Sequence, residues 1–380
     1  MPALSPSLAL ALAAFAPAPQ TPLFVELDDL PGGADISYAY AISADGGVVA
    51  GESFSALSSV HGEGTLWIRS GSTWTAVGLG LPAAPPTPLN SPSLGLASDG
   101  SVVVGRVSFS DSPTIDTFAY AWSESAGYRY LPMPAASPAF VEAQAQSSTE
   151  GGARIVGFGS PEVGYAHPIP LVWNGSIAAG WTCEILSPGT EGMALAIDES
   201  GRSVVGWTRT PEHEASCWRM KGGTWRQSRL GALPGDPPYS QAHGLTRANG
   251  HFAVGFSGDP SVLARPVRWR IPDGSAHAIE AIEILSGLSG GTANAVSKGG
   301  KRVVGSCYGE ISGEFVSDSF VWDDGLGSRS LKEELIAAGA TEVVGWALTS
   351  ATGISEDGTV ICGYGTNPDG IERAWVATIP

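Results

Sequence analysis

Three histidines stand at matching distances from a tryptophan. His61, His167 and His213 lie five or six residues ahead of Trp67, Trp173 and Trp218. Converging neutral imidazoles hold zinc, but these three fall in separate stretches and no HExxH spacing brings two onto one ion. Solvated loop positions are expected for them. The acidic pairs Asp28-Asp29 and Asp323-Asp324 lack the surrounding EF-hand pattern that calcium needs, so turn or surface roles are expected. Cys183, Cys217, Cys307 and Cys362 form no CxxC. They read as buried thiols filling small core sites, although a Cys183–Cys217 bridge between neighbouring units stays open. There is no nucleophile elbow and no P-loop. Ser355-Glu356-Asp357-Gly358-Thr359 approaches the Asp-box of sialidases without its aromatic residue. Glycoside hydrolysis asks only that two carboxylates meet in space, which 37 acidic residues do not exclude. No catalytic, cofactor-binding or metal-ligating residue is therefore singled out, and no cofactor is expected.

What would position any site is a repeat. A small residue and an aliphatic, a tight glycine turn, an apolar run ending in Gly and a lone Trp recur seven times at intervals of 45 to 58 residues. The tryptophans are Trp67, Trp122, Trp173, Trp218, Trp269, Trp322 and Trp375, and the glycines are Gly51, Gly105, Gly157, Gly206, Gly255, Gly305 and Gly363. Such a period sets an architecture before local detail does. In the first unit, 39–43, 48–50, 65–68 and 74–81 read as four short strands, with Asp45-Gly46 as a hairpin turn. Asp99-Gly100, Ser200-Gly201, Asn249-Gly250, Gly299-Gly300 and Asp357-Gly358 hold the same turn, while Glu150-Gly151-Gly152 makes the third unit one residue longer. Each first strand carries two small same-face residues, from Ala39/Ala41 through Ala143/Ala145 to Ala351/Gly353, followed by an aliphatic except at Gln146. Small faces suit innermost strands that crowd around an axis.

The seventh unit stops after its third strand, while 24–33 resembles the fourth-strand exit at 229–235. The expected fold is therefore all-β: a seven-bladed β-propeller of four-stranded blades, closed by an N-terminal strand that completes the last blade. Residues 21–380 form this single domain. Residues 1–20, with an apolar stretch at 8–16 and small-x-small sites at Ala14-Phe15-Ala16 and Ala16-Pro17-Ala18, read as a signal peptide.

The unit resembles the HAF-type extracellular repeat family. Ala39-Tyr40-Ala41-Ile42-Ser43-Ala44-Asp45-Gly46 and Leu230-Gly231-Ala232-Leu233-Pro234-Gly235 carry the likeness, with Phe118-Ala119-Tyr120-Ala121-Trp122 and Ser319-Phe320-Val321-Trp322 matching its Trp strand. The resemblance implies a bacterial, secreted or surface-located protein and implies no catalytic residues. The sorting tail common in that family is not seen, so anchoring by that route is not expected.

The formal charge of −17 makes nucleic acid and anionic membrane poor partners. No later segment is long and apolar enough for a membrane helix. Strand order sends the long, variable segments 53–64, 107–117, 159–168 and 307–318, and the connection 82–92, to one face, opposite the short turns. Variable loops on a rigid frame carry recognition. The expected function is a non-catalytic, exported, monomeric binding or structural protein whose partner is an unknown protein or glycan. A secreted carbohydrate-active hydrolase or lyase is the alternative, favoured by two carboxylates with exposed aromatics at the channel mouth. A mouth of unlike, unpaired groups favours the binder.

Overall fold

A computed structural model describes residues 23–82, 88–111, 114–135, 138–261 and 263–379. The segment expected to be a signal peptide lies outside them. The chain is all-β apart from a helix at Leu331–Ala337 and single turns of 3-10 helix. Five four-stranded antiparallel sheets and one nine-stranded sheet account for the strands. The nine-stranded sheet contains the second and third units, joined by one parallel residue pair, Glu142 with Thr117. In six units the chain passes from a first strand to a fourth by antiparallel neighbours, and in the seventh from a first to a third. The first strands are Gly32–Ile42, Ser93–Leu96, Glu142–Ser148, Gly192–Ile197, Ser240–Leu245, Gly290–Val296 and Ala347–Ile354. The outer edge of the last sheet is Phe24–Glu26, antiparallel to Glu372–Thr378 with Phe24 opposite Ala377 and Glu26 opposite Trp375. The earliest described strand thus lies on the latest, as the split unit requires.

The repeat tryptophans explain their own recurrence. Trp67, Trp173, Trp218, Trp269 and Trp375 are fully buried. The Nε1–H of Trp67 donates to the Asp28 carbonyl (2.7 Å), that of Trp173 to Pro132 (2.8 Å) and that of Trp269 to Gly231 (3.3 Å). Each acceptor belongs to the leucine-proline segment that leaves the preceding fourth strand. In these three the indole fills the gap between sheets and satisfies its one donor on that segment. Trp218 donates instead to Ser187 Oγ (2.7 Å), and the buried Nε1 of Trp375 has no partner among the described residues. Asp28 and Gly231 hold equivalent places in their segments, so the N-terminal stretch does for the first unit what the fourth unit's exit does for the fifth.

Two features of the repeat differ from the sequence reading. The third unit's turn is of ordinary length, since Ser148 opposes Ile155 as Ile42 opposes Val49. The longer turn is in the fifth unit, where Leu245 opposes Ala253. Segments 53–64, 107–117 and 307–318 are also more regular than loops where they are described: the second and third strands extend into them as antiparallel pairs, Val48–Ser55 with Ser58–Ser70, Val103–Asp111 with Thr114–Ser123, and Arg302–Ile311 with Glu314–Asp323. Ladder hydrogen bonds satisfy the backbone there whatever the side chains are, so polar composition alone did not mark these stretches as strand.

The helix at Leu331–Ala337 bridges the sixth and seventh units. Ser330 caps it by accepting from the Glu333 N–H. Leu331 and Leu335 bury its inner face against Val343, Trp346 and Leu348.

Candidate functional site

Each first strand carries a bulge, and the bulge defines the site. Register shifts fall between Ala39 and Ala41, Ser93 and Gly95, Ala145 and Ser147, Ala194 and Ala196, Ala242 and Gly244, Ala293 and Ala295, and Ala351 and Gly353. In the third unit the flanking pair is Ala145/Ser147, two residues beyond the expected Ala143/Ala145. Ser148 therefore takes the place of the aliphatic, and Gln146 is the bulged residue. An extra residue on one strand kinks it and re-aims the side chain.

The repeat glycines answer the bulge. A Cβ on Gly51, Gly206 or Gly255 would lie 1.9 Å from the carbonyl oxygen of Tyr38, Met193 or Gln241, and one on Gly157 or Gly305 would lie 2.0 Å from that of Gln144 or Thr292. The kinked first strand presses its backbone onto the second, and only a residue without Cβ admits it. Small flanking residues and the invariant glycine are one device.

The bulged residues are Tyr40, Leu94, Gln146, Leu195, His243, Asn294 and Thr352, and all seven line one cavity of about 280 Å³. The positions that follow them in the first strands complete its wall. The wall holds no carboxylate and no thiol; its ionisable groups are Tyr40, His243 and Arg247. Burial holds the His243 imidazole down to about 4, so it is neutral at physiological pH. Burial and the Glu52 carboxylate push the Tyr40 phenol up, and its hydroxyl donates to Glu52 Oε1 at 2.6 Å. Asn294 spends its amide N–H groups on Ser350 Oγ (3.2 Å) and the Ala351 carbonyl (2.9 Å).

First strands run toward the short turns, so the register places Tyr38 and its opposite, Glu52, on the loop side of this wall. The residue after each repeat glycine forms a second tier there: Glu52, Arg106, Phe158, Trp207, Phe256, Ser306 and Tyr364. Tyr38 stacks on Tyr40 (6.3 Å between centroids), meets Tyr364 edge-on (5.3 Å) and donates its hydroxyl to Glu372. Further round, Trp207, His213, Tyr239 and Phe256 stack in succession, and Phe256 touches His243 in the cavity wall. Arg106 Nη1 donates to Gln144 Oε1 at 3.3 Å.

The residues that drew attention in the sequence do not converge. The side chain of His61 lies outside the described set. His167 is half-exposed beside Glu191 (Nδ1 to Oε1, 2.7 Å), which raises its imidazole above the usual range. His213 is not a solvated loop residue: it opens a strand and lies flat against Trp207 at 4.1 Å, where burial lowers its imidazole. Asp29 and Asp323 are in ion pairs, with Arg373 (2.9 Å), and with Arg302 (2.7 Å) and Arg329 (2.6 Å). All four cysteines are free thiols, Cys183 half-buried and the others buried. Burial pushes the thiols of Cys183, Cys217 and Cys362 up to about 12 and that of Cys307 to about 11. Among the described residues no group of His, Cys, Asp and Glu is arranged to hold a metal, and no helix is long and apolar enough to cross a membrane. Sequence reasoning missed the bulged residues. The signal was present: a large or polar residue between two small ones in each unit.

No family model and no curated protein matches the chain. Solved structures do. The β-propeller domain of the Trilobed protease from Pyrococcus furiosus is 8% identical, with a TM-score of 0.51, over 90% of this chain and 95% of that one. The β-propeller domain of Myceliophteria thermophila Cps50 (Swd1) is 13% identical, with a TM-score of 0.51, over 92% and 98%. A prolyl endopeptidase aligns with 90% of this chain over 50% of its own, at 10% identity and a TM-score of 0.52. At such distances the likeness concerns fold alone, and that fold is the β-propeller.

Proposed function

We propose that the seven units are the blades of one closed β-propeller, and that the protein is a non-catalytic, exported propeller of the HAF-repeat type that binds a protein or glycan on its loop face. Seven linked junctions support the ring. On the turn side the Ala44 N–H donates to the Ser98 carbonyl (2.8 Å), and the Glu356 N–H to the Ala44 carbonyl (2.8 Å). Arg154, Arg219, Arg268 and Arg302 each donate to a glycine carbonyl in the turn of the following unit, at Gly201, Gly250, Gly300 and Gly358. Glu142 and Thr117, with Arg106 and Gln144, join the second unit to the third. The junction between the seventh unit and the first is thus bonded like the rest.

The observation that carries the binding reading is the cavity wall. Seven equivalent positions hold phenol, imidazole, amide, hydroxyl and aliphatic groups, without a carboxylate among them. The carboxylate pair that glycoside hydrolysis uses has no place in that wall. Unlike groups around a pseudo-symmetric frame recognise an asymmetric ligand. The hydrolase reading rests on Glu52 and Glu372 beside Tyr38 and Tyr40, and each of these carboxylates accepts a phenolic hydroxyl. Export rests on the apolar stretch at 8–16, and a single chain carries the whole site, so a monomer suffices.

The test is a glycan, polysaccharide and protein-capture screen on purified protein, scored for retention and for cleavage. Retention without products is expected, and the double variant Tyr38→Ala, Tyr364→Ala should weaken it at least about tenfold, as loss of two aromatic contacts does. Turnover abolished by Glu52→Gln would replace this reading with the hydrolase.

A further inference from the structure

Arg247 follows the fifth first strand, at the position held by Ala44, Ser98, Glu150, Glu199, Lys298 and Glu356 in the other units. Its side chain lines the cavity, and Nη2 donates to the Ile42 carbonyl at 2.5 Å, from the fifth unit to the first. One side chain therefore crosses the turn-side end and makes the cavity a pocket with a base. That base carries a guanidinium with no ion pair among the described residues. Glu199 and Glu356 are near enough to favour its charge, but both are engaged elsewhere. Glu199 Oε1 accepts from the Glu150 N–H at 2.7 Å, and Glu356 Oε1 lies 3.6 Å from Lys298 Nζ. Cys362 is also within electrostatic reach. A partly buried guanidinium at the base of a cavity, with neither neighbouring carboxylate in a direct ion pair with it, is open to a bound anion.

We propose that the central cavity is a carboxylate-binding pocket, with the acid group seated on Arg247. This rests on the closed-ring reading and gives a ligand class to the central cavity, apart from the loop face. The guanidinium retains N–H groups beyond the one given to Ile42, in a geometry suited to the two oxygens of a carboxylate. Gln146 and neutral His243 supply further polar contacts, and Leu94 and Leu195 face the body of the ligand. About 280 Å³ admits a small organic acid and excludes a folded partner. No carboxylate lines the wall itself; Glu199 and Glu356 lie behind Arg247, acting on its charge but outside the lining.

Calorimetric titration of the full protein with succinate and with succinamide tests this, and glucuronate against glucose tells a sugar acid from an aliphatic one. Succinate or glucuronate binding with no binding of its neutral counterpart is expected. Arg247→Met should weaken it about tenfold or more, with Arg247→Lys in between, as loss of charged hydrogen bonds implies. Equal binding of acid and neutral ligand, or undiminished acid binding by a folded R247M, would overturn the proposal. Should R247M not fold, the wild-type preference for acid over amide decides alone. Macromolecule retention through Tyr38 and Tyr364, measured on the same preparations, reports on the loop-face reading independently.

Discussion

The turn side and the loop side are built by the same strands and have opposite characters. On the turn side seven hairpins repeat one scheme. Ser43, Ala97, Thr149, Asp198, Thr246, Ser297 and Ser355 each give their N–H to the start of the second strand, and each carbonyl accepts from the N–H of a turn glycine. Six of them also accept, through the side chain, the N–H that opens the second strand; Ala97 has no side chain for it. On the loop side no scheme is shared. Long hairpins, a 3-10 turn and an aromatic stack succeed one another round the molecule. Backbone groups crowded in tight turns need partners at fixed places, and that need enforces uniformity. Where hairpins project into solvent the need lapses, and the sequence is free to diversify toward a ligand.

The largest expected effect concerns the frame both sides share. Gly206→Ala would drive Cβ to 1.9 Å from the Met193 carbonyl oxygen, and urea unfolding should show a loss of about 4 kcal/mol. Gly313, at the tip of a loop-side hairpin, has positive φ but open space around it. Gly313→Ala should cost only about 1 kcal/mol, the price of a left-handed Cβ. Equal losses at the two sites would break the link between bulge and glycine.

A middle-sized effect separates the acids. Asp45 and Asp357, in turns, accept hydrogen bonds from Ser43 and Gly47, and from Ser355 and Thr359, which hold their carboxyls below the ordinary 3.8. A lowered folded pKa gives stability that is present above 3.8 and lost as the pH falls through the folded value. Asp318, near the loop side, is raised by burial, and its ionised form costs stability at neutral pH. Paired Asp45→Asn and Asp357→Asn should lower stability at pH 7 by about 1 kcal/mol after solvent screening, and should flatten its decline between pH 5 and pH 3. Asp318→Asn should be neutral or stabilising at pH 7. Urea midpoints at the two pH values decide, and a destabilised D318N would show that its charge is wanted.

Much of the frame was legible because it answers to backbone constraints that leave residue types behind. Tight turns leave Gly46 and Gly358, inter-sheet gaps leave Trp67 and Trp269, and the split unit leaves the likeness of 24–33 to 229–235. The site was less legible, because what faces the cavity is set by a bulge, and a bulge breaks the alternation from which facing is read. The third unit shows the mechanism of the error. Ala143, Ala145 and Ser147 are all small, so composition did not say which pair flanks the extra residue, and Gln146 was read at the position of the aliphatic instead of at the bulge. Arg247 was illegible for another reason: its role depends on a carbonyl 205 residues away.

The smallest effect sharpens the loop-side half of the comparison. His213 lies between Trp207 (4.1 Å, 7° between planes) and Tyr239 (5.0 Å, 23°), and its Nδ1 meets the Tyr239 hydroxyl at 3.0 Å. Burial first, and the Arg209 charge second, lower its imidazole below 6.5. The folded state thus favours the neutral ring, and its contribution is complete above pH 6.5 and lost as the pH falls through the folded value. His213→Ala should cost about 1 kcal/mol at pH 7.5, in line with loss of a stacked ring, and less at pH 5, where wild type has begun to lose the contact. The turn-side acids lose their contribution only at lower pH, so acid should loosen the loop side first. An NMR titration of the His213 ring reads this directly. A pKa at or above 6.5 would mean that water reaches the stack freely, and that this part of the loop face is less preorganised for a partner than its aromatic packing implies.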